Sequence, residues 1–300
     1  MAERTSGGGA ALGRSVGVAV IAANRHQHLE RTVASLGCQT RPPDRVVVVD
    51  LGSSPPLRDA LGGRPEIEVV ELDRRGGGPW PLARARNAAA AALGTEVQVF
   101  LDVDCMAAPD LVAAYEQAAE AAPCALLCGP VRYLRRGWSD DVADRQLGPV
   151  ELGERSDRHP VRPELAPDHL VVAEDHERFW SLAFGVAASV WSDLGGFDEA
   201  YVGYGGEDTD FALRARAAGV SLAWFGGGTA FHQWHPATRH DPERVPEIVA
   251  NARRFRARWG TWPMAGWLVE LHDAGLVRFD PGADTLGLVG PVPSAVGVPG

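Results

Sequence analysis

The chain has 300 residues, 45% of them hydrophobic, a net charge of −10 and no lysine, so all 29 of its cationic side chains are arginine. The apolar fraction suffices for a packed core, and the acidic balance speaks against a general nucleic-acid binder. Without lysine, Schiff-base chemistry and the lysine-bearing phosphate loop are excluded. No stretch approaches the roughly 18 consecutive apolar residues of a membrane span. Met1 to Arg14 shows no signal-peptide pattern, so a cytoplasmic location is the expectation.

Residues 1–13 carry little apolar surface and read as a disordered leader. Val16 to Ala22 is a continuous apolar run, the pattern of a buried parallel strand. Leu29, Val33 and Leu36 follow at helical spacing. Val46 to Val49 predicts a second strand ending at Asp50, and Ile67 to Leu72 alternates like a third. Gly76-Gly77-Gly78-Pro79 breaks the chain ahead of an alanine-rich helix over Leu82 to Leu93. Val97 to Leu101 is a fourth strand ending at Asp102, Leu111 to Ala121 a helix, and Ala125 to Cys128 a short strand. Cys124 and Cys128 bracket this last segment and read as small buried side chains rather than ligands. Strands alternating with helices predict a mostly parallel sheet with crossover helices. Ligands of such sheets bind beyond the carboxyl ends of the strands, where Asn24, Asp50 and Asp102 fall.

Residues 135–178 are rich in Asp, Arg, Pro and His without periodicity and predict a flexible loop or lid. Order resumes at Phe179 and leads into Gly195-Gly196-Phe197-Asp198-Glu199. Ser221 to Phe225 is a further strand, Glu243 to Trp259 a final helix, and residues 281–300 a loose tail.

The residues able to do chemistry are few. Glu207, Asp208 and Asp210 crowd into four positions behind Gly203, Gly205 and Gly206. Like charges that close are costly unless something uses them. At a loop-to-helix junction such a carboxylate serves as general base, helix cap or metal neighbour. Asp102 and Asp104 at a strand end form a hard oxygen site suited to Mg²⁺ or Mn²⁺, or are two solvated loop acids. His232 is a metal ligand or a structural histidine, whereas His235 reads as a hydrogen-bonded structural residue. Arg86 opens a helix behind a glycine loop, either aimed at phosphate or on a solvated face. Asp50 and Asn24 read a base or ribose edge, or simply start turns.

Taken in order, these pieces resemble the GT-A fold glycosyltransferases of family 2. The series runs from the strand leading to Asn24, through Val49-Asp50 with Gly52-Ser53 and Ala85-Arg86-Asn87, to Phe100-Leu101-Asp102-Val103-Asp104. It continues with Gly195 to Glu199, then Gly205-Gly206-Glu207-Asp208-Thr209-Asp210-Phe211, and closes on Phe231-His232-Gln233. The second half is similar to galactosyltransferases and chondroitin-type polymerases, and the likeness covers roughly residues 15–260. It implies a GT-A, Rossmann-like, mostly parallel sheet flanked by helices, with a smaller acceptor-side subregion. Residues 14–134 would bind the nucleotide-sugar, and residues 179–280 would bind the acceptor and carry the catalytic groups. On matching positions, Asp50 would contact the base beside Ala22 and Asn24, and Arg86 would face the ribose or diphosphate. Asp104 and His232 would hold Mn²⁺ or Mg²⁺, with Asp102 near the ribose or a metal-bound water. Glu207 would help bind the acceptor or orient the site, and Asp208 would be the base. Apart from the resemblance, Tyr204 in the glycine-rich loop reads as an aromatic face for the donor or acceptor sugar. The expected reaction is inverting transfer from a nucleotide-sugar to a hydroxyl. UDP is favoured over GDP, and the acceptor is a carbohydrate, a lipid-linked sugar or a small molecule. Two departures stand out: Leu51 fills a position usually Asp or Asn, and Ala23 one often aromatic. The competing readings are a retaining transferase of the same fold, a nucleotidyltransferase, and a pseudo-transferase that binds glycan or nucleotide-sugar without turnover.

Overall fold

The structure, a computed structural model, describes residues 13–74, 78–140, 147–236 and 241–290. Most of the leader, Gly76 and Gly77 of the glycine break, residues 141–146 of the expected lid and residues 291–300 of the tail therefore lie outside the described residues. In chain order the elements begin β1 (Val16–Ala22), α1 (His26–Leu36), β2 (Arg45–Asp50), α2 (Leu57–Ala60), β3 (Ile67–Glu71), α3 (Leu82–Leu93) and β4 (Val97–Asp102). Next come β5 (Cys105–Ala107), α4 (Leu111–Ala121), β6 (Ala125–Cys128), β7 (Val131–Leu134), α5 (Pro149–Glu154), β8 (Ser156–Arg158) and β9 (Leu170–Val172). Then follow β10 (Ala183–Ala187), α6 (Ala188–Leu194), α7 (Glu207–Ala217), β11 (Ser221–Phe225) and β12 (Ala230–His232). The chain closes with α8 (Val245–Trp259), α9 (Ala265–Asp273), β13 (Val277–Asp280) and β14 (Thr285–Leu288).

Eight strands form the main sheet in the order β3-β2-β1-β4-β10-β6-β11-β9. β1 pairs in parallel with β2 and β4, β2 with β3, and β6 with β11. β10 runs antiparallel between β4 and β6, and β9 runs antiparallel at the edge. Alternate residues of the central strands feed two cores. Val18, Val20, Val99 and Leu101 pack with α1 and α4, while Ala19, Val47, Val49 and Phe100 pack with α3, α6 and α7. Both faces of the sheet are therefore covered, which is why these strands read as unbroken apolar runs. A second sheet, β5-β12-β7-β8, stands beside the carboxyl ends of the first.

Residues 14–134 and 179–280 contribute to one sheet, in which β10 lies between β4 and β6 and β11 beside β6. The structure corrects two expectations. Residues 147–178 are built into the body: β9 pairs with β11, and the buried Arg162 donates to the carbonyls of Gly129, Ala183 and Trp180. Residues 281–290 are not loose either, since β14 pairs with β13 over a small core that includes Leu268, Leu271 and Leu286. Cys128 is buried in β6 as expected, but Cys124 precedes the strand and is exposed.

Candidate active site

β4 ends at Asp102, the chain turns, and β5 begins at Cys105. β5 pairs with β12 in a register that sets Cys105 opposite His232. This pairing brings Asp104 under two imidazoles: His232 Nε2 lies 3.4 Å from its Oδ1 and His235 Nε2 3.2 Å from its Oδ2. Gln233, fully buried, locks the turn by donating its backbone N–H to the Asp104 carbonyl and its side-chain amide to the His28 carbonyl. Ligand atoms of Asp104, His232 and His235 all lie within 4.8 Å of one another.

These residues fit a divalent cation. One carboxylate oxygen and two imidazole nitrogens suit Mn²⁺ as well as softer ions. Asp104 Oδ1 is buried without a hydrogen-bond partner, a costly state that a bound cation relieves. Burial would raise the Asp104 pKa, but the His235 hydrogen bond, His232 and Arg25 overcome it and hold the group down at about 2. Burial lowers the His232 pKa against the pull of Asp104, keeping the ring in its neutral, ligating form. Asp102, expected in this set, is not among the converging groups; its nearest cation is Arg86, at 3.8 Å.

The second cluster lies where α3 meets α7. Arg86, on the second turn of α3, is buried and donates Nη1 to Glu207 Oε1 at 3.0 Å and Nη2 to Ser181 Oγ at 2.9 Å. Its guanidinium rests over the Phe197 ring. Arg86 therefore does not project into open space toward a diphosphate. With a buried carboxylate beside it, its position is fixed by charge pairing inside the protein. Glu207 is taken up by the same pair. The neighbouring Asn87 pins the glycine turn, accepting from Phe197 N–H and donating to the Phe197 carbonyl and Glu199.

Asp208 is the carboxylate left over. It accepts from the N–H groups of Thr209 at 2.7 Å and Ser181 at 3.4 Å, and from the Thr209 hydroxyl, and among the described residues it has no guanidinium of its own. Burial first, then the charge of Glu207, raise its pKa to about 6 against the opposing pull of Arg86. Asp102 moves the same way, to about 7, by burial and by Asp104, Glu207 and Asp208; the open third of its side chain (35%) admits water that moderates the rise. Asp210 has a different task from the helix-start acid its position suggests. Fully buried, it accepts from Arg214, Arg258, Trp259 and Tyr201, and so fastens α8 to α7.

The C-terminal helices also form the back wall of the acidic loop. Glu247 of α8 accepts from Tyr204 N–H, and Asn251 donates to the carbonyls of Val202 and Tyr204. A Cβ on Gly203 would lie 2.4 Å from Glu247 Oε2, and one on Gly205 2.8 Å from Met264 Cε. Protein packing, at φ of +83° and +99°, already requires these glycines. Tyr204 stacks parallel on Trp267 of α9. Burial, then the charges of Glu207, Asp102, Asp208 and Asp104, push its hydroxyl pKa up.

On the nucleotide side, Asp50 is buried and both its oxygens accept backbone N–H groups, from Ser53 at 2.8 Å and Leu57 at 2.8 Å. It shapes the loop after β2 instead of presenting a free edge to a base. Ala22 is buried, and its carbonyl accepts from Leu51. Asn24 is exposed at φ +53°, tied to the same loop through Ser53 Oγ and Ser54 N–H. Sequence reasoning missed His235, Arg25 and Ser181. The His232/His235 spacing was the one available signal, and nothing local marked the other two.

The sequence profile of glycosyl transferase family 2 matches residues 17–169, more than half of the 300-residue chain. The chain belongs to glycosyl transferase family 2. A second profile, the N-terminal domain of galactosyltransferase, matches residues 163–236, the stretch that holds Asp208 and His232. Two relatives are validoxylamine A glucosyltransferases, from Streptomyces hygroscopicus subsp. limoneus and from S. hygroscopicus subsp. jinggangensis (strain 5008). Each is 28% identical over 77% of this chain. The alignments span 54% and 58% of those proteins, little more than half their length. Among solved structures, GalNAc-T7 with UDP, GalNAc and Mn²⁺ superposes with a TM-score of 0.56 at 14% identity, over 88% of this chain and 57% of that one. S. aureus TarS 1-349 gives 0.52 at 16% identity, over 81% of this chain and 65% of that one. This family 2 chain thus shares the GT-A fold with both. No helix among its described residues is long and apolar enough to cross a membrane.

Proposed function

We propose that the chain is an inverting, divalent-metal-dependent glycosyltransferase that moves a sugar from a nucleotide-sugar to an acceptor hydroxyl, with Asp208 as general base. The carrying observation is the setting of Asp208: a carboxylate behind the glycine loop that accepts only from Thr209 and Ser181 among the described residues. Its pKa is raised to about 6, and the nearby guanidinium of Arg86 is spent on Glu207 and Ser181. A carboxylate so poised takes a proton from an attacking hydroxyl during bond formation, worth about 10²–10⁴-fold in rate. Asp104, His232 and His235 would hold Mn²⁺ or Mg²⁺, which supplies charge stabilisation to a departing diphosphate. Arg86 acts on the reaction at one remove. It fixes Glu207 and Ser181, and Ser181 N–H in turn orients Asp208. Attack from the face opposite the diphosphate inverts the anomeric centre.

UDP-sugars are favoured as donors over GDP-sugars because the GT-A neighbour GalNAc-T7 carries UDP with Mn²⁺. The acceptor is a carbohydrate, a lipid-linked sugar or a small molecule with a free hydroxyl. Purified protein incubated with a panel of nucleotide-sugars and acceptors, with Mn²⁺ and with chelator, tests the reading. Metal-dependent transfer with an inverted product is expected. A product of retained anomeric configuration would leave a retaining transferase, and donor binding without turnover on any acceptor a pseudo-transferase.

A further inference from the structure

Asp104 has a partner that the metal reading does not use. Arg25 Nη1 lies 3.1 Å from Asp104 Oδ2, the oxygen that also faces His235 Nε2 at 3.2 Å. Among the described residues Arg25 has no other carboxylate within ion-pair distance. We infer that Arg25 is a competing counter-cation of this site: it occupies the carboxylate a divalent ion must reach, and so sets the affinity for that ion. The inference rests on the metal reading given above.

Three observations carry it. The guanidinium and the imidazoles address the same carboxylate, so an ion coordinated by Asp104, His232 and His235 would sit within a few ångströms of the Arg25 charge, about 2 Å from its own ligands. Like charges at that separation in a partly dehydrated site repel strongly. The ion and the ion pair are therefore alternatives. Second, the two partners differ in freedom. The Asp104 side chain is 9% exposed and bracketed by imidazoles, whereas that of Arg25 is 28% exposed and can swing into solvent. Third, the backbone under Arg25 is fixed. Asn24 is held at φ +53° by Ser53 and Ser54, and the Arg25 carbonyl accepts the Leu29 N–H that starts α1. Only the side chain has to move. Each cation that binds must break the ion pair, which weakens binding relative to a site without Arg25.

The test is titration of the full chain with Mn²⁺ alone, followed calorimetrically, for wild type, Arg25→Gln and Arg25→Lys. Arg25→Gln should bind Mn²⁺ at least tenfold more tightly, equivalent to about 1.4 kcal/mol. Arg25→Lys keeps the charge and should stay within about threefold of wild type. Arg25→Gln binding no tighter than wild type overturns the inference while leaving the metal reading intact. Arg25→Lys binding as tightly as Arg25→Gln also overturns it, since charge would then not be the cause. If neither wild type nor Arg25→Gln binds Mn²⁺ at millimolar concentration, the metal reading itself fails, and this inference with it.

Discussion

Replacing Asp208 with asparagine separates the base from every other role its position might have. The amide oxygen can still accept from Thr209 N–H, which lies 2.7 Å away, while the amide nitrogen would face the more distant Ser181 N–H at 3.4 Å. The loop should hold, and transfer should fall by about 10²–10⁴-fold with donor affinity preserved. Stability should move the other way. The folded-state pKa is raised to about 6 from the ordinary carboxylate value of 3.8, so the folded protein binds the proton more tightly than the unfolded chain does. The ionised side chain therefore destabilises the fold increasingly from about pH 4 to about pH 6, and by a constant amount above that. A shift of about two units, in which the Arg86 attraction is already counted, corresponds to at most about 3 kcal/mol, and water in the cleft reduces it to roughly 1–2. Asp208→Asn should accordingly melt higher than wild type at pH 8, with the difference vanishing below about pH 4. Single-turnover transfer, donor titration and thermal melts at both pH values measure the three effects. Transfer within about tenfold of wild type, with the protein folded, would refute the assignment of the base.

Three further outcomes follow from the same geometry. In wild type, kcat/KM should rise with pH through about 6 and then level off, because Asp208 acts only when ionised; a profile flat from pH 5 to 8 would contradict this. Asp210→Ala strips a fully buried carboxylate from Arg214, Arg258, Trp259 and Tyr201 and should cost about 3 kcal/mol in urea unfolding; less than about 1 would show that the α7–α8 fastening is incidental. Glu207→Gln leaves the buried Arg86 without its 3.0 Å anionic partner and should lower stability by about 2–3 kcal/mol and slow transfer, with little change in Mn²⁺ affinity. Equal loss of Mn²⁺ binding would mean that the two clusters act as one.

Much of the frame could be read without coordinates. β1, α3, α4, β6 and β11 fall where apolar runs and helical spacing put them, because burial on both faces or on one stripe leaves a local signature. Short strands that borrow stability from distant partners leave none. β5 and β12 have three residues each and exist because they pair across more than a hundred positions. β9 and β10 likewise take their places only in the assembled sheet.

The sequence by itself determined which residues are present to do chemistry: two acids at the end of β4, three at the start of α7, one histidine ending β12 and another three residues on, and arginine as the sole strong base. The tertiary structure decided how they are shared out. Asp104 went to the two histidines and Arg25, Glu207 to Arg86, Asp210 to α8, and among the described residues Asp208 was left without a cation of its own. The physical reason is that a charge is assigned by what lies within a few ångströms of it in space. Residues 25, 104 and 235 meet only after the sheets have formed, and no spacing along the chain encodes that meeting.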